Sequence, residues 1–170
     1  RDDSNQIVSN RLDIGSRVNV LKEVMEEVDD GKIIIFVPYK ELVSILDEEL
    51  RNLYTLAIVD GSVSKTTRDE IFRAFQHDDE PRILIAHPKT MAHGLTLTAA
   101  TTIIWYAPYA SNEIYTQANA RIVRPSQTKH TRIVHISATV EEDAIYARLK
   151  NKQALQGLLL EIAKKQGTGD

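Results

Sequence analysis

Five short segments rich in β-branched and aromatic residues recur along the chain, at 33–37, 55–59, 82–86, 102–106 and 132–136. Most are apolar at consecutive positions rather than at every second one. Neighbouring side chains of a strand point to opposite faces, so a run without alternation has to be covered on both sides. That requirement excludes a sheet with one wet face. It leaves a mainly parallel sheet held between two layers of helices.

Helical patterns fill the gaps. Leu42, Val43, Ile45, Leu46 and Leu50 form a stripe after Pro38, which suits a first helical turn. Asp60-Gly61 supplies a turn, and Ser64 or Thr66 caps a helix with an inner face of Ile71, Phe72 and Phe75. Thr139 and Glu142 stand at capping-box spacing before a helix that carries Ile145 and Leu149 and runs on through Leu155, Leu158, Leu159 and Ile162. An earlier helix is expected over about 16–28. Strand and helix alternate from end to end, which predicts a three-layer α/β domain with right-handed crossovers. Ligands on such sheets bind beyond the carboxyl ends of the strands, so the segments just after each strand are the candidate site.

A chain of 170 residues fits one domain and buries roughly 70% of its unfolded surface without a metal or disulfide staple. There is no cysteine, which removes a disulfide framework and a thiolate zinc site together. No apolar run approaches the roughly 20 residues of a membrane span, and the polar N-terminus is unlike a signal peptide. A soluble, cytoplasmic protein is expected. The polar ends, without an initial methionine, suit a piece of a longer chain.

Net charge is −3, too little for bulk attraction to a polyanion, but the charge is unevenly spread. Residues 81–140 hold one carboxylate, Glu113, against Arg82, Lys89, Arg121, Arg124, Lys129 and Arg132. That is +5, leaving −8 on the other 110 residues (−3 less +5). A stretch stripped of acids is what a surface facing phosphates requires.

Within that stretch the densest pattern is Gln117, Arg121, Arg124 and Gln127. Spaced four and then three apart on a helix, Gln117 and the two arginines share one face, with Pro125 placing Arg124 at the helix C-terminus. Two arginines without a carboxylate between 114 and 140 point to an external anion. Planar guanidinium groups reaching toward a transferring phosphoryl group typically contribute ~10³ to 10⁵ in rate. Upstream, His93 and Gly94 follow a strand, and glycine there allows close backbone approach. Trp105 and Tyr106 lie in a strand, and core packing is expected for at least one of them.

The order and spacing of these segments resemble the C-terminal RecA-like lobe of superfamily 2 helicases, most closely the Swi/Snf-type translocases and their phage and bacterial relatives. Residues 32–37 look like motif IV. Val59-Asp60-Gly61-Ser62 with Arg68 and Phe75 looks like the L-D-G-S…R…F segment. Residues 93–97 are similar to motif V, and Gln117, Arg121, Arg124 and Gln127 match the Q-x-x-x-R-x-x-R-x-x-Q of motif VI. Thr96 stands where the family often has Asn, His93 where Gly is common, and Ala107-Pro108-Tyr109 replaces the acidic-aromatic pattern after the fourth strand.

The resemblance implies a RecA-like, P-loop NTPase-like domain over 1–170, with a core of about 18–149 and a C-terminal helical extension of about 140–165. It implies that Arg121 and Arg124 face the γ-phosphate of ATP and that Gly94 and Gln117 line the cleft between two lobes. It implies that Tyr39, Ser62, Lys89 and Thr90 lie toward the backbone of a nucleic acid, double-stranded DNA by expectation. No G-x-x-x-x-G-K-[ST] loop and no acidic D-E-x-H box occurs here, so ATP and Mg²⁺ are expected to be held mainly by an N-terminal lobe absent from this sequence. The isolated lobe is expected to be inactive. The alternative is a non-catalytic module of the same fold that binds nucleic acid or protein. A dinucleotide-binding domain fits poorly, because Val37-Pro38-Tyr39-Lys40 stands where a glycine-rich fingerprint belongs.

Overall fold

Strands β1 (Lys32–Phe36), β2 (Leu56–Val59), β3 (Ile83–Ala86), β4 (Ala100–Trp105) and β5 (Arg132–His135) form one sheet in the order β2-β3-β1-β4-β5. All four pairings are parallel, as the unalternating runs predict. The computed structural model describes residues 3–92 and 95–166. β1 lies at the centre, with Ile34 in register with Leu84 on one side and Ile103 on the other.

Alternate residues of β1 serve different cores. Ile33, Ile35 and Val37 pack with Val18, Leu21 and Met25 of α1 (Asp3–Glu26) and with Val43, Leu46 and Leu50 of α2 (Lys40–Leu50). Ile34 and Phe36 pack on the opposite face with Phe72 and Phe75 of α3 (Lys65–His77), with Met91 of a 3-10 helix at Pro88–Ala92, and with Tyr115 of α4 (Asn112–Asn119). Tyr146 and Leu149 of α5 (Val140–Gln166) complete that face. Each large side chain so buried contributes about 1.5–3 kcal/mol. Among the described residues no helix is long and apolar enough to cross a membrane.

Local signals set several boundaries. Ser64 caps α3 by accepting from the Thr67 amide at 3.2 Å. Thr139 accepts from the Glu142 amide at 3.2 Å, while the Glu142 carboxylate accepts from the Ala138 amide at 2.8 Å, one residue short of a strict capping box. Three boundaries differ from expectation. α1 begins at Asp3 rather than near 16, because Gly15 costs a helix only about 1 kcal/mol and no proline stops it. α2 starts at Lys40, after Tyr39 in extended geometry, so Pro38 precedes the helix instead of opening it. α4 ends at Asn119, short of Arg121.

Two polar arrangements tie the layers together. The Arg17 guanidinium donates to the Tyr106 carbonyl at 2.9 Å and to both Glu142 oxygens at 2.7 and 2.8 Å, joining α1, the end of β4 and the start of α5. Beneath α5, the Tyr146 hydroxyl lies 3.2 Å from the Trp105 and Ile136 carbonyls, and burial raises its pKa. His135 Nε2 and the Tyr115 hydroxyl share a hydrogen bond of 2.8 Å. Burial, with a smaller repulsion from Lys150, pushes the His135 imidazole down to about 4.

Phe75→Ala removes a fully buried ring and should destabilise the domain by about 3–5 kcal/mol in denaturant titration. The His135 shift sets a pH dependence. Its folded pKa lies below the unfolded value of about 6.5, so stability from the neutral imidazole is complete above that pH. It is lost as pH falls toward 4. His135→Phe should flatten this part of a stability-versus-pH curve, and an unchanged slope would assign the dependence to other groups.

Candidate functional site

The carboxyl ends of β1, β2 and β3 open onto one polar edge. After β2 the chain turns at Asp60, whose Oδ1 accepts from the Ser62 amide at 2.8 Å and the Ser62 hydroxyl at 2.5 Å. The Ser62 hydroxyl, then its amide, hold the Asp60 carboxyl below the usual carboxylate range. The carboxylate is thereby engaged within its own turn.

After β3 the chain enters the 3-10 helix through His87. The His87 Nδ1 accepts from the Lys89 amide at 3.2 Å. Burial lowers the imidazole pKa; a hydrogen bond to the Pro38 backbone opposes the shift, and nearby Lys89 adds to it. His87 packs edge-on against Tyr109 at 5.8 Å, and the Lys89 ammonium lies 6.0 Å from the same ring. Thr90 is 7% exposed, with its hydroxyl donating to the His87 carbonyl at 2.7 Å.

Two shallow depressions lie along this edge. One, of about 300 Å³, is lined by Lys40, Val43, Asp60, Gly61, Ser62 and His87. The other, of about 370 Å³, is lined by Gly61, Arg68, His87, Lys89 and Thr90. Ser62 and the pair Lys89 and Thr90 thus stand on adjoining hollows, while Tyr39, 54% exposed, precedes Lys40 at the rim of the first. Arg68 and His87 join the edge without having been singled out as site residues. Arg68 is legible only as part of the L-D-G-S…R…F spacing, and its Nε is buried without a hydrogen-bond partner.

The arginines sit on the turn that leaves α4, so Gln117, Arg121 and Arg124 do not share a continuous helical face. Gln117 remains on α4 and donates to Glu113 at 3.2 Å. Arg121 Nε donates to the Met91 carbonyl at 2.7 Å, and the Leu97 amide donates to the Arg121 carbonyl at 3.0 Å. These bonds fasten the turn to the 3-10 segment after β3. Arg124 is half-buried; its Nε donates to the Ala120 carbonyl at 2.8 Å and its Nη1 to the Thr96 hydroxyl at 2.7 Å.

Among the described residues neither arginine forms an ion pair. Burial, and then the charge of Arg124, lower the Arg121 pKa. Two like charges held close without an acid fit a polyphosphate anion, which would relieve their repulsion. Gln127, the last residue of the pattern, turns inward and donates to the Thr98 and Ala100 carbonyls at 3.1 and 3.2 Å. Gly94 lies outside the described residues. Among those described, no group of three His, Asp or Glu side chains converges to hold a metal ion.

A family model for the helicase conserved C-terminal domain matches residues 16–126, and the chain belongs to that family. It is a C-terminal lobe of the Swi/Snf type of superfamily 2 helicases. The ATP-dependent helicase ULS1 of Saccharomyces cerevisiae is 28% identical over 152 residues, covering 88% of this chain and 9% of that protein. The chromatin-remodeling ATPase INO80 of Candida albicans is 28% identical over 144 residues, covering 82% of this chain and 10% of that protein.

The crystal structure of the C-terminal part of the Fun30 ATPase domain aligns with a TM-score of 0.71 at 24% identity, over 77% of this chain and 44% of that one. The likeness speaks to the fold, which is RecA-like as expected. The chain spans about a fifth or less of the length of the curated relatives it matches.

Proposed function

We propose that this chain is the second motor lobe of an ATP-dependent translocase on nucleic acid, with double-stranded DNA as its track. In this reading Arg121 and Arg124 meet the phosphates of ATP at a cleft closed by an N-terminal RecA-like lobe, and that lobe holds most of the nucleotide and its Mg²⁺. The observation that carries the proposal is the pair of guanidinium groups without an acid partner among the described residues, one of which, Arg121, is fastened through Met91 to the short helix that bears Lys89 and Thr90.

The nucleotide supplies free energy through cleavage of its terminal phosphoanhydride. The residues of this chain supply position and charge. Arg124, the more accessible arginine, presents its remaining N–H groups to the γ-phosphate, where a planar fork stabilises spreading negative charge better than a lysine does. Arg121, 9% exposed and fixed by Met91, keeps the turn in place and adds positive potential. Gln117 and Gly94 line the cleft in the same proposal. Along the carboxyl edge, Lys89 and Ser62 meet phosphate oxygens. The buried Thr90 shapes the hollow between them, and Tyr39 packs on the sugar-phosphate backbone. Closing and reopening the cleft then moves the phosphate contacts of one lobe relative to the other.

In the full-length protein, Arg124→Ala should lower nucleic-acid-stimulated ATP hydrolysis by ~10³-fold or more while leaving the fold intact by circular dichroism. Near-normal turnover would return the lobe to the class of binding modules. Lys89→Ala should weaken DNA binding across sequences and flatten the log-log dependence of affinity on salt by about 1. An unchanged slope would remove Lys89 from the phosphate contacts.

A further inference from the structure

Trp105 and Asn119 are buried in the apolar layer beneath α4, and neither has a role in the function proposed above. Trp105, the last residue of β4, is fully buried, its ring 4.7 Å from Phe36 and 5.0 Å from Tyr115. Its Nε1 donates to the Oδ1 of Asn119 at 3.0 Å. Asn119, 2% exposed, is the last residue of α4. Its main-chain carbonyl accepts from the amides of Ile122 at 3.2 Å and Val123 at 3.0 Å, the two residues that lie between Arg121 and Arg124.

We infer that Trp105 and Asn119 are a positioning pair, whose buried hydrogen bond fixes the end of α4 and thereby the direction in which Arg121 and Arg124 leave it. The inference rests on the proposed role of those arginines.

The argument is one of cost. A buried amide is expensive to desolvate, and asparagine is a poor helix former, so leucine would pack here more cheaply. A leucine could rotate about the helix axis with little penalty. The indole N–H has one direction, and the carboxamide oxygen has to meet it. The constrained residue is the one whose carbonyl closes the turn carrying the arginines, with fully buried Ile122 as its second anchor. Ala120 follows at φ −66°, ψ −8°, a near-helical geometry that passes the orientation of α4 on to Arg121. The other end of the pair lies on β4 beside the central strand, so the arginines are referenced to the rigid sheet.

A mutant cycle in the full-length protein separates positioning from packing. Trp105→Phe alone strands the Asn119 carboxamide, whose Nδ2 already has no hydrogen-bond partner, and should lower the melting temperature, whereas Asn119→Leu alone exchanges that unpaired Nδ2 for an unpaired indole N–H and should lower it less. The combination W105F/N119L removes both and should recover most of it. If the pair positions the arginines, kcat for stimulated ATP hydrolysis stays down by about 10- to 100-fold in the double variant, with KM for ATP little changed. If kcat returns together with the melting temperature, the pair is structural only and the inference is overturned.

Hydrogen exchange in the Trp105→Phe protein gives a second reading that does not depend on the double variant folding. Protection should fall at the Ile122 and Val123 amides while that of β1 is retained, and a uniform loss across the sheet would count against the pair. Arg124→Ala run alongside distinguishes the two failures. If it turns over normally, the proposed function falls. If it is inactive while W105F/N119L equals the parent protein, only the positioning role falls.

Discussion

A strand covered on both faces offers no side on which a polar side chain can sit cheaply, and β1, β3 and β4 are all in that position. Ile33 through Val37 are at most 1% exposed, and Ile83 through Ala86 likewise. Burying an unpaired amide or hydroxyl among them would cost about 1–3 kcal/mol, so buried polar side chains are few in these strands, Thr102 of β4 being one. Chemistry is thereby pushed to the loops at the ends of the sheet. Because every strand runs in the same direction, the loops after β1, β2 and β3 emerge side by side, and residues far apart in sequence, Lys40, Asp60 and His87, meet at one hollow. The fold and the location of the site follow from a single demand on the central strands.

Charge is segregated along the same axis. At the amino end of the sheet, Asp30, Asp78, Asp79 and Glu80 gather around Lys32, Arg82 and Lys129, so acids and bases there are mixed. Lys32 donates to the carbonyls of Phe75 and Asp78, and burial lowers its pKa while the neighbouring acids oppose the shift. At the carboxyl end, Asp60 is spent within its own turn, and Lys89, Arg121 and Arg124 have no ion-pair partner among the described residues. A domain selected only for stability would gain from placing an acid beside Arg121, since opposite charges favour the ionised forms of both. Omitting it keeps the positive potential available to something outside the lobe.

The core was legible because it is written twice, in apolar composition and in the absence of alternation. The strands read from sequence agree with those observed to within one residue at most ends, and both Trp105 and Tyr106 are core where at least one was expected to be. Helix ends were less legible. The spacing of Gln117, Arg121 and Arg124 fits a helical face, yet α4 closes at Asn119, where the Arg121 amide bonds the Ala118 carbonyl three residues back, the Leu97 amide takes the Arg121 carbonyl, and Trp105 takes the Asn119 side chain. Tertiary partners decide that ending, and periodicity does not record them. His87 was hidden for a similar reason. Its importance lies in bridging the exits of β1 and β3, which is a property of strand order and not of the residues around it in sequence.

What the arrangement adds to the proposed motor is a short mechanical path. Lys89 and Met91 are two residues apart on one turn of 3-10 helix, and the Met91 carbonyl holds Arg121. In that proposal, a displacement of Arg121 as a nucleotide enters or leaves the cleft would act directly on the segment that carries the candidate phosphate contacts. Such a turn is well suited to the task, because its i to i+3 bonds are weaker in geometry than those of an α-helix and let it shift as a unit. The sheet beneath it cannot follow, since interiors packed on both faces resist continuous deformation. Motion produced at the arginines in that proposal would therefore be confined to the carboxyl edge, where the opposite lobe and the nucleic acid would both make their contacts.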